Sequence, residues 1–119
     1  MKRIVLVAGT GVAALVLAAQ SGAMSPTKLK GDVGPGFTIH LKDAKGKAVK
    51  KLKAGKYTIT VTDKSNIHNF HLTGPGVNKE ITSVAFQGTK TVTVTLKKGK
   101  YTYVCDPHAS TMHGSFTVS

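Results

Sequence analysis

Residues 100–119 read KYTYVCDPHASTMHGSFTVS, two alternating runs joined by a loop of small and metal-ligating residues. In KYTYVC, Tyr101, Tyr103 and Cys105 share one parity; in GSFTVS, Phe116 and Val118 alternate with Ser115 and Thr117. Side chains alternate across a strand with a period of two, so each run reads as a half-buried strand. Cys105 then points inward at the end of the first. The loop holds this sole cysteine within eight residues of His108, Met112 and His113. One cysteine forbids an internal disulfide, and a thiol kept beside imidazoles and a thioether is a candidate metal ligand.

Working outward, the same alternation recurs. Phe37, Ile39 and Leu41 share a face in FTIHLK, as do Tyr57, Ile59 and Val61 in KYTITVT, and Val92, Val94 and Leu96 in TKTVTVTLK. Thr, Val and Tyr dominate, which suits a pleated, half-buried surface. DAKGK, KAGK, TGPG and KKGK mark turns. LKAGKYTITV and LKKGKYTYVC echo each other as two similar corners of one fold rather than as a repeat array. No helical period appears after residue 23, and the expectation is an all-β sandwich or barrel.

The chain opens MKRIVLVAGTGVAALVLAAQSGAMS: a short basic start, sixteen apolar or small residues from Ile4 to Ala19, then small residues at Ser21–Ala23. That layout predicts a helical signal peptide over residues 1–23, cleaved after export, with retention as a membrane anchor the alternative. The run falls short of the roughly 20 apolar residues a membrane span needs. Contact with the membrane is thus expected only in transit, and the destination is periplasmic or extracellular. Residues 24–34 read as a polar approach segment and 35–119 as the folded domain.

Of the 119 residues, 17 are Lys or Arg and 5 are acidic, a formal net charge of +12. After residue 23 there is no arginine. Lysines scattered over turns and strand faces, without interleaved aromatics, do not make a nucleic-acid platform. Acidic-surfaced protein partners are expected instead, met in a salt-sensitive way. The domain is expected to be a monomer.

Cys105 and His108 are separated by Asp106 and Pro107, so a tight loop stiffened by proline can present both to one ion. A third strong ligand must come from SNIHNFHLTG. His68 shares the parity of Phe70 and Leu72 and points inward; His71 does not, and His40 faces away from its own apolar set. Projecting the parity of Phe116 and Val118 backwards turns Met112 inward and His113 outward. His68, Cys105 and His108 with a weak axial Met112 is the ligand combination of a blue-copper electron-transfer centre. His71 and His113 are placed outside the ligand set, on the surface or behind the ligands.

These residues resemble a known family. His68-Asn69, the run Tyr103-Val104-Cys105-Asp106-Pro107-His108, then Met112 and GSFTV, are similar to the cupredoxins, close to the plastocyanin group of small type 1 copper proteins. The resemblance covers residues 35–119. It implies a Greek-key β-sandwich with one copper at one end, cycling between Cu(I) and Cu(II). It also implies His68, Cys105, His108 and Met112 as ligands. Relative to the family the methionine stands one residue closer to the histidine, at an offset matched by Gly114. Asn69 would tie the two ligand segments together, its backbone N–H reaching the sulfur. Asp106 replaces a Ser or Thr but still offers an acceptor to the Asn69 amide. Pro107 removes one possible donor to the sulfur. Electrons would pass through the His108 edge to an acidic partner drawn by surrounding lysines. Three strong ligands and a thioether leave no open coordination position, so no enzymatic activity is expected. Copper delivery or sequestration is the alternative.

Overall fold

A computed structural model describes residues 25–119, so the expected signal peptide lies outside the described residues. Nine strands form: β1 (Thr27–Val33), β2 (Ile39–Asp43), β3 (Lys51–Leu52), β4 (Gly55–Asp63), β5 (Phe70–Gly74), β6 (Val77–Thr82), β7 (Gly88–Leu96), β8 (Gly99–Val104) and β9 (His113–Val118). They make two sheets, β2-β1-β4-β7 and β3-β9-β8-β5-β6. β1 runs parallel to β4 and β3 to β9; the other pairs are antiparallel. The chain passes repeatedly from one sheet to the other, the interleaving of a Greek-key sandwich. Among the described residues no helix is long and apolar enough to cross a membrane.

The alternating residues meet between the sheets. Leu29, Val33, Leu41, Ile59, Val61, Phe70, Leu72, Leu96, Tyr101, Phe116 and Val118 are all buried. Phe70 stacks on Tyr103 at 5.5 Å between ring centroids, and Tyr101 on Phe116 at 5.4 Å. Such ring pairs contribute about 0.5–1.5 kcal/mol beyond their buried area. The Tyr101 hydroxyl also donates to Pro75 O (2.7 Å) and accepts from Lys97 N–H (2.8 Å), tying two turns together.

Two expectations are corrected. Residues 24–34 are not a mere approach: Thr27–Val33 is an inner strand of the first sheet, between β2 and β4. Its alternation is muted because Gly31 takes a core position where a Cβ would come within 2.9 Å of the Phe70 ring. Phe37 does not join Ile39 and Leu41 inside; it is 61% exposed. It precedes β2, in the bend closed by Gly34 N–H donating to Thr38 O (2.9 Å), so strand alternation has not begun there.

Strand register defines two ends. Val33 lies opposite Asp63, Asp63 opposite Gly88, and Val104 opposite His113. Residues 34–38, 64–69, 83–87 and 105–112 therefore cluster at one end. The turns at 44–50, 75–76 and 97–98 cluster at the other.

Candidate metal centre

His68 lies in the 64–69 loop, two residues before β5, and is fully buried. Cys105, also fully buried, follows β8 directly and leads into a 3-10 turn over Asp106–His108 with Pro107 in its first turn. Backbone bonds shape the loop. Cys105 N–H donates to Met112 O (3.0 Å), His108 N–H to Cys105 O (3.0 Å), and Met112 N–H to His108 O (2.8 Å). This folds the chain back on itself and sets Cys105, His108 and Met112 around one volume.

Three ligand atoms converge. His68 Nδ1 lies 3.2 Å from His108 Nδ1, and Cys105 Sγ lies 3.6 and 3.5 Å from those two nitrogens. A point equidistant from all three lies about 2.0 Å from each, the length of a bond from a first-row metal ion to imidazole and slightly short for thiolate. His68 Nε2 is buried with no hydrogen-bond partner among the described residues, so the nitrogen turned toward the sulfur is the functional one. Two imidazoles and a thiolate form the trigonal donor set of copper, and the residues fit one ion. Met112 is fully buried beside them, whereas His113 is exposed and its Nδ1–H donates to Ala109 O (2.8 Å).

A polar frame braces the loop from outside. The buried Asn69 carboxamide donates to Asp106 Oδ2 and to Glu80 Oε2, both at 2.8 Å, and its oxygen accepts from Asp106 N–H (2.7 Å). The two ligand segments are joined, as expected, but through this side chain. The expected reach of the Asn69 backbone N–H to sulfur is corrected: the sulfur's described polar neighbours are the two Nδ1 atoms. Glu80, on β6, is a member of this frame that sequence reading missed, since no spacing links it to Asn69.

His71 completes the frame without facing the centre. Its Nε2 lies 2.6 Å from Asn78 Oδ1 and its Nδ1 2.9 Å from Asp106 Oδ2. Both nitrogens face acceptors, an arrangement that favours the imidazolium. The Asn78 bond, helped by Asp106 and Glu80, outweighs burial and raises the His71 pKa. Burial pushes the Asp106 carboxyl upward, but the bonds from Asn69 and His71 and the charge of His71 outweigh it, leaving the pKa lowered. Behind His68, burial raises the pKa of Asp63 against hydrogen bonds from Thr82 and Ser65.

His108 is the ligand that reaches the surface; it is half-buried, where His68 and Cys105 are closed off. Phe37 sets its ring edge-on to both imidazoles, 5.0 Å from His108 and 5.5 Å from His68 between centroids. Pro107 and Ala109 are exposed beside it. The lysine-rich surroundings expected for His108 are corrected: Lys64 and Lys90 lie at this end, and most others at the far one. Sequence position does not reveal which end of a strand a turn belongs to.

A family model described as copper binding proteins, plastocyanin/azurin family, matches residues 46–119. Solved structures share the fold. A rusticyanin variant superposes with a TM-score of 0.56 at 23% identity, covering 77% of this chain and 76% of that one. Reduced rusticyanin gives 0.54 at 22%, covering 77% and 78%. A heme-copper terminal oxidase dimer contains a chain matched at 0.53 and 21%, over 77% of this chain and 63% of that one. No curated protein sequence matches.

Proposed function

The chain belongs to the plastocyanin/azurin family of copper-binding proteins and takes one copper ion, and from that premise we propose that it is an exported carrier of single electrons. The observation that carries this reading is the buried triangle of His68 Nδ1, His108 Nδ1 and Cys105 Sγ. Copper, when bound, supplies one-electron exchange between Cu(I) and Cu(II). His68, Cys105, His108 and Met112 would hold it through two imidazoles, a thiolate and a thioether. The strands and the Asn69–Asp106–Glu80 frame keep those side chains in place in both oxidation states, so little rearrangement accompanies transfer.

Burial of Cys105, His68 and Met112 shuts substrates out, which supports a carrier rather than an enzyme. Half-exposed His108, ringed by Phe37, Pro107 and Ala109, is the route for electrons. A redox protein docks there through a small contact that is more apolar than the lysine count alone implied. Delivery to a copper acceptor would require ligands that open easily, and three fully buried ones argue for retention.

The test is to add Cu(II) to purified protein and record visible and EPR spectra. An intense blue band saturating at one copper per chain, with the narrow copper hyperfine splitting of a strong thiolate bond, is expected. A colourless product or an ordinary tetragonal spectrum overturns the reading. Rapid loss of Cu(I) to a competing chelator, with slow electron exchange, would favour delivery instead.

A further inference from the structure

Charge on this domain is sorted along its long axis. Between residues 45–56 and 97–100 there are nine lysines and no acidic residue. All nine are exposed, on turns and strand ends opposite the metal centre. Asp43 is the one carboxylate at that end, and it is engaged by the N–H groups of Lys45 and Lys47. The other four carboxylates lie in the half that holds the centre: Asp32 and Asp63 near the strand ends, Asp106 in the ligand loop, and Glu80 bonded to Asn69. The separation is about 26 Å, the length of the nine-residue β4.

A partner bound on that lysine end would sit too far from His108 for direct electron exchange. The charge therefore serves some other surface. Ser25 and Thr27 lie against Lys51, Lys53 and Lys56, so the chain from residues 1–24, with its apolar run from Ile4 to Ala19, joins the domain at this same end. Before cleavage, then, the apolar run is attached to the domain at its lysine-bearing end.

We infer that the lysine-rich end is a docking face for an anionic lipid bilayer, which holds the domain upright with His108 turned outward to its redox partners. Clustered lysines at a bilayer surface gain affinity additively and lose it with salt over the Debye length. Lys51, Lys53 and Lys56 line one shallow groove and Lys97 another, but the nine spread over several turns, which fits a planar charged surface better than a single bound anion. The face is independent of whether the copper cycles.

The test is co-sedimentation of the full copper-loaded chain with vesicles of phosphatidylcholine alone or with phosphatidylglycerol added. The full chain is compared with the pairs Lys47→Glu/Lys98→Glu and Lys64→Glu/Lys90→Glu, which change net charge equally at opposite ends. The expected result is a gain on anionic vesicles that salt removes. The far-end pair should lose at least about tenfold of that gain, and the copper-end pair should lose little. An unchanged metal spectrum shows that each variant is folded. Equal losses from both pairs would reduce the effect to net charge and overturn the inference. So would equal binding to neutral vesicles, or tighter binding to soluble polyphosphate than to anionic vesicles.

Discussion

Replacing Asn69 with alanine tests whether the frame around the metal loop is structural. The carboxamide makes three bonds: two donated to the Asp106 and Glu80 carboxylates at 2.8 Å and one accepted from Asp106 N–H at 2.7 Å. Both carboxylates are exposed and regain water, so losing each of those bonds costs about 0.5 kcal/mol. The Asp106 amide is part-buried and loses its acceptor, at about 1–3 kcal/mol. The sum is about 3 kcal/mol, or roughly 12–24 °C in Tm for a domain of this size. Urea and thermal unfolding of the copper-free protein measure it, free of any ligand contribution. Asn69→Asp is the sharper control. It keeps the volume but sets a third carboxylate against Asp106 and Glu80, so at neutral pH it should fall below the alanine variant and recover as acid protonates the cluster. A loss below about 0.5 kcal/mol for Asn69→Ala, the scale of an ordinary surface change, refutes the reasoning. So does an Asn69→Asp protein as stable as the original at pH 7.

Other expectations can be read in the same preparations. Cys105→Ser should abolish the blue band, while Met112→Leu should keep it and shift the reduction potential, read by redox titration. His71→Ala should leave the band nearly unchanged; bleaching would move the ligand assignment. The raised His71 pKa makes its stabilising contribution fully present below about pH 6.5 and lost as pH climbs through the folded value. The stability gap between wild type and His71→Ala should therefore shrink from pH 5 to pH 9 in denaturant titrations. Gly114→Ala drives a Cβ into the Tyr103 ring and should cost about 2–3 kcal/mol, visible as a lower urea midpoint.

The ligand set was legible because it rests on period two. His68 with Phe70 and Leu72, and Cys105 with Tyr101 and Tyr103, share a parity that carries one or two residues past the strand ends, so inward and outward could be assigned locally. The outward turn of His113 and the burial of Met112 followed from the strand after the loop. Parity did not carry across the bend closed by Gly34 and Thr38, and so Phe37, counted with Ile39 and Leu41, stands exposed against the two imidazoles. It also fails where a glycine stands for a side chain. Gly31 hid an inner strand whose core position is filled from across the sandwich by Phe70.

By itself, then, the amino-acid order determined that the chain is a sandwich of alternating strands and that its sulfur, imidazoles and thioether belong together. Both were read from patterns a few residues long, the strand alternation and the parity of each ligand within its own segment. Only the tertiary structure decided which end of the sandwich each turn occupies. It alone set Glu80 against Asn69 and made β1 a parallel partner of β4. It also parted nine lysines from the metal loop. Such facts depend on strand direction and register between segments distant in sequence, and no local pattern encodes them.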